Sequence, residues 1–404
     1  MNGNLIVRVY TDGIGQPIIG AKVAISGNGV NLLLVTNDLG ETESVSLPAP
    51  DLQVSLVPST QIAYGTYNVI VSKFGIETKE IRGVEIFPTI TSFQDVFMTA
   101  KDEGNSRENV VTIPDYYVGS WPPKIPETPK ESRESRVLGR VIIPEYVIVH
   151  DGVPSNSAAS NYYVPYADYI KNIASSEIYP TWPVETLKAN IHAIVSFTLN
   201  RIYTEWYKSK GQDFTITSST AYDHKFIFGR TIFESISNVV DQIFDQYIEI
   251  GTSYYPFLAQ YCDGKIVPER PNWLSQWGSK DLGDRGYSAI QIIKYYYTSA
   301  ANLRQAESIE GLPTSFPGYN LLLGSCGEDV QVIQNQLNTI RNNYPAIPRI
   351  EVPDGHYTQQ TQNSVKIFQK VFNLPQTGIV DYSTWYKISY IYTAITKIAE
   401  GINA

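Results

Sequence analysis

The sequence predicts a multidomain α+β protein. Its 404 residues are enough for two to four domains. The first hundred residues carry short alternating apolar runs separated by turn signals. Further along, apolar residues recur at the 3.6-residue helical spacing in several separate segments. Hydrophobic residues make up 43%, so real cores can be buried and the chain is not an unfolded polymer.

Residues 1–100 read as β structure. Leu5-Ile-Val-Arg-Val-Tyr10, Ala21-Lys-Val-Ala-Ile25 and Tyr67-Asn-Val-Ile-Val71 alternate or are β-branched. Asp12-Gly13, Gly15-Gln-Pro17, Asn37-Asp-Leu-Gly40 and Phe74-Gly75 supply turns between them. Short strands at this spacing suggest a sandwich. The segments Gln16–Val23, Thr36–Gly40 and Gly65–Val69 resemble carboxypeptidase regulatory-like, transthyretin-like domains. That resemblance implies a small β-sandwich with no chemistry of its own.

Residues 101–136 change character. Lys101-Asp-Glu-Gly-Asn-Ser-Arg-Glu108 and Lys130-Glu-Ser-Arg-Glu-Ser-Arg136 are charged. Trp121-Pro-Pro-Lys-Ile-Pro-Glu-Thr-Pro129 can form neither a helix nor a central strand, because proline lacks an amide donor and fixes φ. An extended linker is expected, and exposed polar linkers are preferred sites of proteolysis.

Residues 137–300 read as a mixed α+β domain. Val137–Ile143, Tyr146–Val149 and Phe214–Thr217 look like strands. A helix is expected over Val184–Tyr207, where Leu187, Ile191, Ile194, Val195, Leu199 and Ile202 share one face and Pro183 suits the first turn. Two more amphipathic helices are expected over Ile232–Ile248 and Ser288–Tyr297, followed by a connector to Gly318. Residues 319–395 form a last unit, with helices near Asp329–Arg341 and Thr358–Phe372 flanking a Pro353-Asp-Gly355 loop.

Composition narrows the partners. The net charge is −9 and there is no long basic run, which argues against nucleic acid. Charged residues are only 18% and tyrosines number 29. That combination suits either a polar uncharged ligand such as carbohydrate or the packing of β-rich cores. Cys262 and Cys326 form neither a metal-binding spacing nor a disulfide framework. His150, His192, His224 and His356 include no HxxxH pair, so no zinc site is expected, and no cofactor. Neither a signal peptide nor an apolar run long enough to cross a membrane is expected.

The last unit carries the sharpest pattern. Leu322-Leu-Gly-Ser-Cys-Gly-Glu-Asp-Val330, Ile333-Gln-Asn-Gln-Leu337, Asp354-Gly355, Thr361, Val365, Phe368-Gln369, Gly378-Ile-Val380 and Thr384-Trp385 resemble the peptidoglycan-binding type 1 family. That implies a small three-helix module whose shallow groove holds wall glycan or stem peptide. Tyr357 stands where such modules often carry a second aromatic.

The middle domain resembles the stage II sporulation protein D family in three ordered segments. These are Ile178-Tyr-Pro-Thr-Trp-Pro-Val-Glu-Thr-Leu-Lys-Ala-Asn190, Ser218-Ser-Thr-Ala-Tyr-Asp-His-Lys-Phe226, and Leu274-Ser-Gln-Trp-Gly278 with Gly286–Ile290. The resemblance implies a lytic transglycosylase that cleaves the β-1,4 bond from muramic acid to glucosamine, with Glu185 as acid/base. Cleavage needs a proton on the leaving oxygen. The sugar's own sixth-carbon hydroxyl then attacks and returns its proton to the same carboxylate. Tyr222, Asp223, Ser275 and Gln276 fall in the matched segments and are candidates for orienting sugar hydroxyls. The family's zinc-linked Cys-His pattern is absent from Ser219–His224, and Pro271-Asn-Trp-Leu274 replaces its His-Gly-x-Gly. A Glu in the first turn of a helix is held as an anion by the dipole, whereas an acid needs a raised pKa. Trp182 and Tyr179 could oppose this by desolvation. His192, two turns on from Glu185, reads as a core histidine.

The order of the parts (β front, Pro-rich linker, this core, a terminal wall module) resembles the clostridial spore cortex-lytic enzymes. It implies a spore zymogen whose front, residues 1 to about 136, is removed during germination by a subtilisin-like protease cutting at Lys130–Val137. The alternatives are a non-catalytic wall-binding spore protein and a phage-type lysin.

Overall fold

A computed structural model describes residues 1–12, 15–101, 109–126, 140–253, 255–265, 270–310 and 316–401. It is a multidomain α+β chain.

The front is built from β1 (Asn2–Thr11), β2 (Lys22–Gly27), β3 (Val30–Val35), β4 (Val45–Pro48), a short helix α1 (Gln53–Leu56), β5 (Gly65–Ser72), β6 (Lys79–Ile86), β7 (Thr91–Met98) and β8 (Val110–Thr112). One sheet joins β4, β1 and β7, with β1 parallel to β7; the other runs β3-β2-β5-β6-β8. The alternation read in the sequence puts Leu5, Val7, Val9, Val23, Ile25, Val69 and Val71 into the one core between them. Strand β8 pairs with β6 in parallel, Ile81 opposite Val111. Gly83 makes this possible: at φ +81 it lets the Ile113 carbonyl approach to where a Cβ would stand 2.3 Å away.

The expected linker is therefore not a free spacer between 109 and 126. Beyond β8, Ile113, Tyr116 and Val118 are buried, and the Trp121 indole donates to the Ser176 carbonyl (2.9 Å). The apolar content of Val110–Val118 outweighs its charged and Pro-rich flanks. The Trp121–Pro126 run forms no helix or strand, as its prolines dictate. The expected cutting segment Lys130–Val137 lies outside the described residues.

The middle domain contains β9 (Ile142–Ile143), β10 (Tyr146–His150), β11 (Asn161–Pro165), α2 (Tyr166–Glu177), α3 (Val184–Tyr203), β12 (Ile216–Thr217), β13 (Ile232–Phe233), α4 (Glu234–Ile243), β14 (Gln246–Ile250), β15 (Tyr261–Cys262), β16 (Leu274–Ser275), α5 (Gln276–Asp284), α6 (Ala289–Tyr296), β17 (Ala301–Gln305) and β18 (Ser308–Ile309). Helix α3 is buried almost all round and packs on α2, α4, α5 and α6. The helix expected over Ile232–Ile248 is instead strand, helix and strand. Its ends are drawn into sheets, β13 onto β7 of the front and β14 onto β17. The pairing of β14 with β17, and of β18 with β9, also puts strands into the expected connector.

Front and middle share one apolar cluster, in which Tyr64, Phe87 and Tyr116 meet Tyr179, Trp182 and Phe233. Across the same seam the Arg230 guanidinium meets the Glu85 carboxylate at 2.7 and 3.2 Å, both side chains fully buried. The Trp182 indole donates to the Ser55 carbonyl of α1 (2.9 Å).

The C-terminal unit is helical: α7 (Glu328–Ile340), α8 (Gln359–Val371) and α9 (Tyr382–Gly401). Its core holds Val330, Ile333, Leu337, Val365, Phe368, Trp385 and Ile388. It leans on the other two parts through Ser383 Oγ, which donates to the Asp241 carbonyl (2.9 Å), and Tyr344 OH, which donates to the Gly15 carbonyl (2.8 Å). No helix among the described residues is long and apolar enough to cross a membrane.

Candidate functional site

Glu185 stands in the first turn of α3, its side chain 35% exposed. Oε1 accepts from Lys188 Nζ (2.8 Å), and Oε2 accepts from the Ala289 amide at the start of α6 (2.8 Å). Burial pushes its pKa up, but the Lys188 and Ala289 hydrogen bonds outweigh that and hold it below the usual carboxylate value. Trp182 and Tyr179 do not rescue it, for both are turned into the core, Trp182 against Trp277 at 4.9 Å. Glu185 is thus a bridge between α3 and α6, held in its anionic form.

A second carboxylate lies eight residues earlier. Glu177 is the last residue of α2 and is 5% exposed. Oε1 accepts from the Lys225 amide (2.7 Å), and Oε2 accepts from the Tyr261 hydroxyl. Burial pushes its pKa up, and nearby Lys124 and these hydrogen bonds only partly offset the rise. Its place at the C-terminal end of a helix works in the same direction as burial, opposite to the dipole acting on Glu185.

Glu177 lines a cleft of about 440 Å³ with Trp121, Pro122, Pro123, Lys124, Tyr261, Asp263 and Gln276. One wall is the segment Gly119–Lys124, which lies across the middle domain as a strap. Thr220 Oγ1 donates to the Pro122 carbonyl (2.7 Å), the Ile125 amide to the Ala221 carbonyl (2.8 Å) and Arg270 to the Lys124 carbonyl (3.2 Å). Lys124 Nζ donates to the Asp223 carbonyl and lies over the rings of Phe197 (4.4 Å) and Tyr261 (4.8 Å).

Of the four residues expected to orient sugar, only Gln276 lines this cleft, its Nε2 donating to the Glu177 carbonyl (3.3 Å). Asp223 is sealed: its carboxylate takes bonds from Arg201 Nε (2.7 Å), Tyr207 OH (2.7 Å) and the Thr217 amide and hydroxyl, at 0% exposure. Ser275 is buried and caps α5, accepting from the Gly278 amide (3.0 Å). Tyr222 is half-buried and offers its carbonyl to Arg201 (3.1 Å). His192 is a core residue as expected; burial holds its pKa down to about 4. Among the described residues no group of three His, Cys, Asp or Glu side chains could hold a metal ion.

In the C-terminal unit the motif residues are scaffold. The Gln334 amide clamps the loop, donating to the His356 carbonyl (2.9 Å) and accepting from the Gly355 amide (2.9 Å); Gln369 does the same at Gly378. Tyr357 is buried, and its hydroxyl donates to the Gly378 carbonyl (3.0 Å). Among the described residues, Tyr319, Leu322, Leu323 and Val352 are the large apolar side chains this unit exposes.

Residues 326–388 match the family described as "Putative peptidoglycan binding domain". That places a wall-binding unit at this end of the chain. No curated protein matches the sequence. Among solved structures, the Bacillus anthracis TIE protein aligns at 16% identity over 24% of this chain and 16% of its own, TM-score 0.18. A chain of a type II cohesin–X-dockerin complex from Acetivibrio cellulolyticus aligns at 20% identity over 26% of this chain and 64% of its own, TM-score 0.18. The Klebsiella pneumoniae 5-hydroxyisourate hydrolase aligns at 19% identity over 24% of this chain and 92% of its own, TM-score 0.16. The aligned part spans less than two thirds of the first two of these chains, and similarities this slight carry no functional argument.

Proposed function

We propose that the chain is a peptidoglycan lytic transglycosylase in which Glu177, rather than Glu185, is the acid/base. The observation that carries this reading is a buried carboxylate with a raised pKa at the edge of a cleft. Such a group keeps its proton closer to neutral pH and can deliver it to a glycosidic oxygen. The muramic acid C6 hydroxyl attacks C1 as the C1–O4 bond breaks, and its proton passes to the Glu177 carboxylate. The product is a 1,6-anhydro sugar, with neither water nor metal required. Tyr261, donating to Oε2, positions the carboxyl. Asp263 in the same cleft favours a second reading, hydrolysis with two carboxylates.

The wall-binding unit would hold the enzyme on its substrate and raise the local concentration of glycan. The Gly119–Lys124 strap supports a latent state, since it fills one side of the cleft that a sugar strand would enter. This fits the resemblance to the spore cortex-lytic enzymes, of which the clostridial enzyme SleC is one. In that reading a transthyretin-like front is a prodomain, and a subtilisin-like protease cuts in 130–137 at germination.

The test is digestion of spore-cortex and vegetative sacculi by the full chain, before and after subtilisin treatment, with mass spectrometry of the products. Anhydro ends that vanish in Glu177→Gln and persist in Glu185→Gln support the assignment. The reverse pattern returns the role to Glu185. Reducing ends mean hydrolysis, and wall binding without released fragments means a non-catalytic wall protein.

A further inference from the structure

One side chain of the strap reaches deep into the middle domain. Lys124 is only 7% exposed. Lysine is seldom buried, because its ammonium gives up hydration that the protein must replace. Here Nζ lies over the ring faces of Phe197 (4.4 Å) and Tyr261 (4.8 Å) and donates to the Asp223 carbonyl. Two aromatic faces and a carbonyl oxygen suit an alkylammonium ion. The His224 ring stands beside them, 4.7 Å from Phe197 and 5.9 Å from Tyr261, and its Nε2 is buried without a hydrogen-bond partner. Burial, with the Lys124 and Arg201 charges, holds the His224 pKa down, so this wall is neutral. The pocket thus belongs to the middle domain, and its occupant comes from the segment that precedes it.

Tyr261 ties the pocket to Glu177. Its ring carries the ammonium, and its hydroxyl donates to Glu177 Oε2. Lys124 also lines the Glu177 cleft, with Pro122 and Pro123. Burial pushes the Glu177 pKa up, and the Lys124 charge pulls it back towards the anion, the form with no proton to give. The lysine therefore acts on the cleft in two ways. It occupies the space, and it disfavours the protonated carboxyl.

We propose that Lys124 is an intramolecular stopper: its ammonium fills an alkylammonium pocket beside Glu177, and the cleft opens to glycan only when the lysine is withdrawn. This rests on the reading of Glu177 as the acid and supplies the regulation of that site. The stopper is held locally, through Thr220 to the Pro122 carbonyl (2.7 Å), the Ile125 amide to the Ala221 carbonyl (2.8 Å) and Arg270 to the Lys124 carbonyl (3.2 Å). In an uncut chain both ends of the strap are tethered, so a lysine that leaves returns. A cut in 130–137, shortly after it in the sequence, frees one end and lowers the effective concentration that favours return.

Two measurements on the full chain test this. Brief amine acetylation with peptide mapping by mass spectrometry reads the position of Lys124. The expected result is labelling slower than at the exposed Lys208 by about tenfold or more before subtilisin treatment, and loss of that protection after it. The second is release of anhydro fragments from sacculi. Uncut Lys124→Ala releases them faster than uncut wild type by about tenfold or more, approaching the cut wild type. The labelling uses the wild-type chain, so it stands even where the variant folds poorly. Ready labelling of Lys124 before the cut overturns the inference, as does protection that survives the cut. So does an uncut Lys124→Ala chain that melts like the wild type and is equally slow. The two readings fail separately. Fragment release that needs Glu177 while Lys124 stays buried after the cut sinks only the stopper. No release from any form, with Lys124 exposed by the cut, sinks the Glu177 reading and leaves the stopper standing.

Discussion

Asp223→Ala tests whether this residue is scaffold or a sugar ligand. In the structure its carboxylate balances Arg201, both side chains at 0% exposure, and accepts from Tyr207 and from the amide and hydroxyl of Thr217. Removing it takes away the carboxylate that faces the guanidinium, which also meets the Tyr222 carbonyl and the faces of Phe197 and Trp206 (4.6 Å each). Breaking a buried pair from one side costs about 3–5 kcal/mol. For a domain of this size that lowers Tm by roughly 10 °C. Urea unfolding followed by tryptophan fluorescence reads it directly, because Trp206 stacks on Arg201. The double replacement Arg201→Met with Asp223→Leu removes both charges and recovers most of the loss, since an apolar pair of similar volume is often neutral or better. A loss below about 1 kcal/mol refutes the reasoning. So does a variant that melts like the wild type and binds glycan more weakly, which would make Asp223 a ligand residue.

Other consequences are as direct. His192 has its pKa pushed by burial from 6.5 down to about 4, so the folded state resists its protonation. Its contribution is complete above pH 6.5 and is lost as pH falls towards 4, by about 3 kcal/mol at most. His192→Leu flattens the fall in unfolding free energy from pH 7 to 4.5, and an unchanged slope disproves the assignment. Glu85→Ala strands the Arg230 guanidinium in the seam between front and middle at a cost of about 3–5 kcal/mol. Limited proteolysis of that variant releases the front domain sooner than from wild type; an unchanged cutting rate means the seam does not depend on the pair.

The fold was partly legible in the residues. Helices α3, α6, α7 and α8 fall within a few residues of expectation, because each repeats apolar residues at helical spacing over two turns or more. Helix α2 was not legible. Ten of its twelve residues are buried, including Lys171, Asn172, Ser175, Ser176 and Glu177, so no polar face advertises it. A signal for Glu177 did exist: a lone carboxylate closes the run Ile173-Ala-Ser-Ser, just before Ile178-Tyr-Pro180. Glu185 by contrast opens a helix that is visible in the sequence, where the dipole suits an anion. The strap was illegible for another reason. Pro122 and Pro123 rule out regular structure but leave open whether a segment is free or pinned, and here side chains distant in sequence pin it.

By itself, then, the sequence determined what depends on local order. It set the β-rich front, the helices with clear apolar faces, and the terminal unit in which glycines and glutamines at fixed spacing define a wall-binding family. Only the tertiary structure decided what surrounds each charged residue. Whether a carboxylate is an acid, a bridge or half of a sealed ion pair depends on its solvation and its neighbours, and those come from other parts of the chain. Tyr261 and Lys225 meet Glu177, Ala289 meets Glu185, and Arg201 meets Asp223. The match to a peptidoglycan-binding family was legible in the residues of the C-terminal unit, and the burial of Glu177 beneath the Trp121–Lys124 strap is the part that no local pattern could fix.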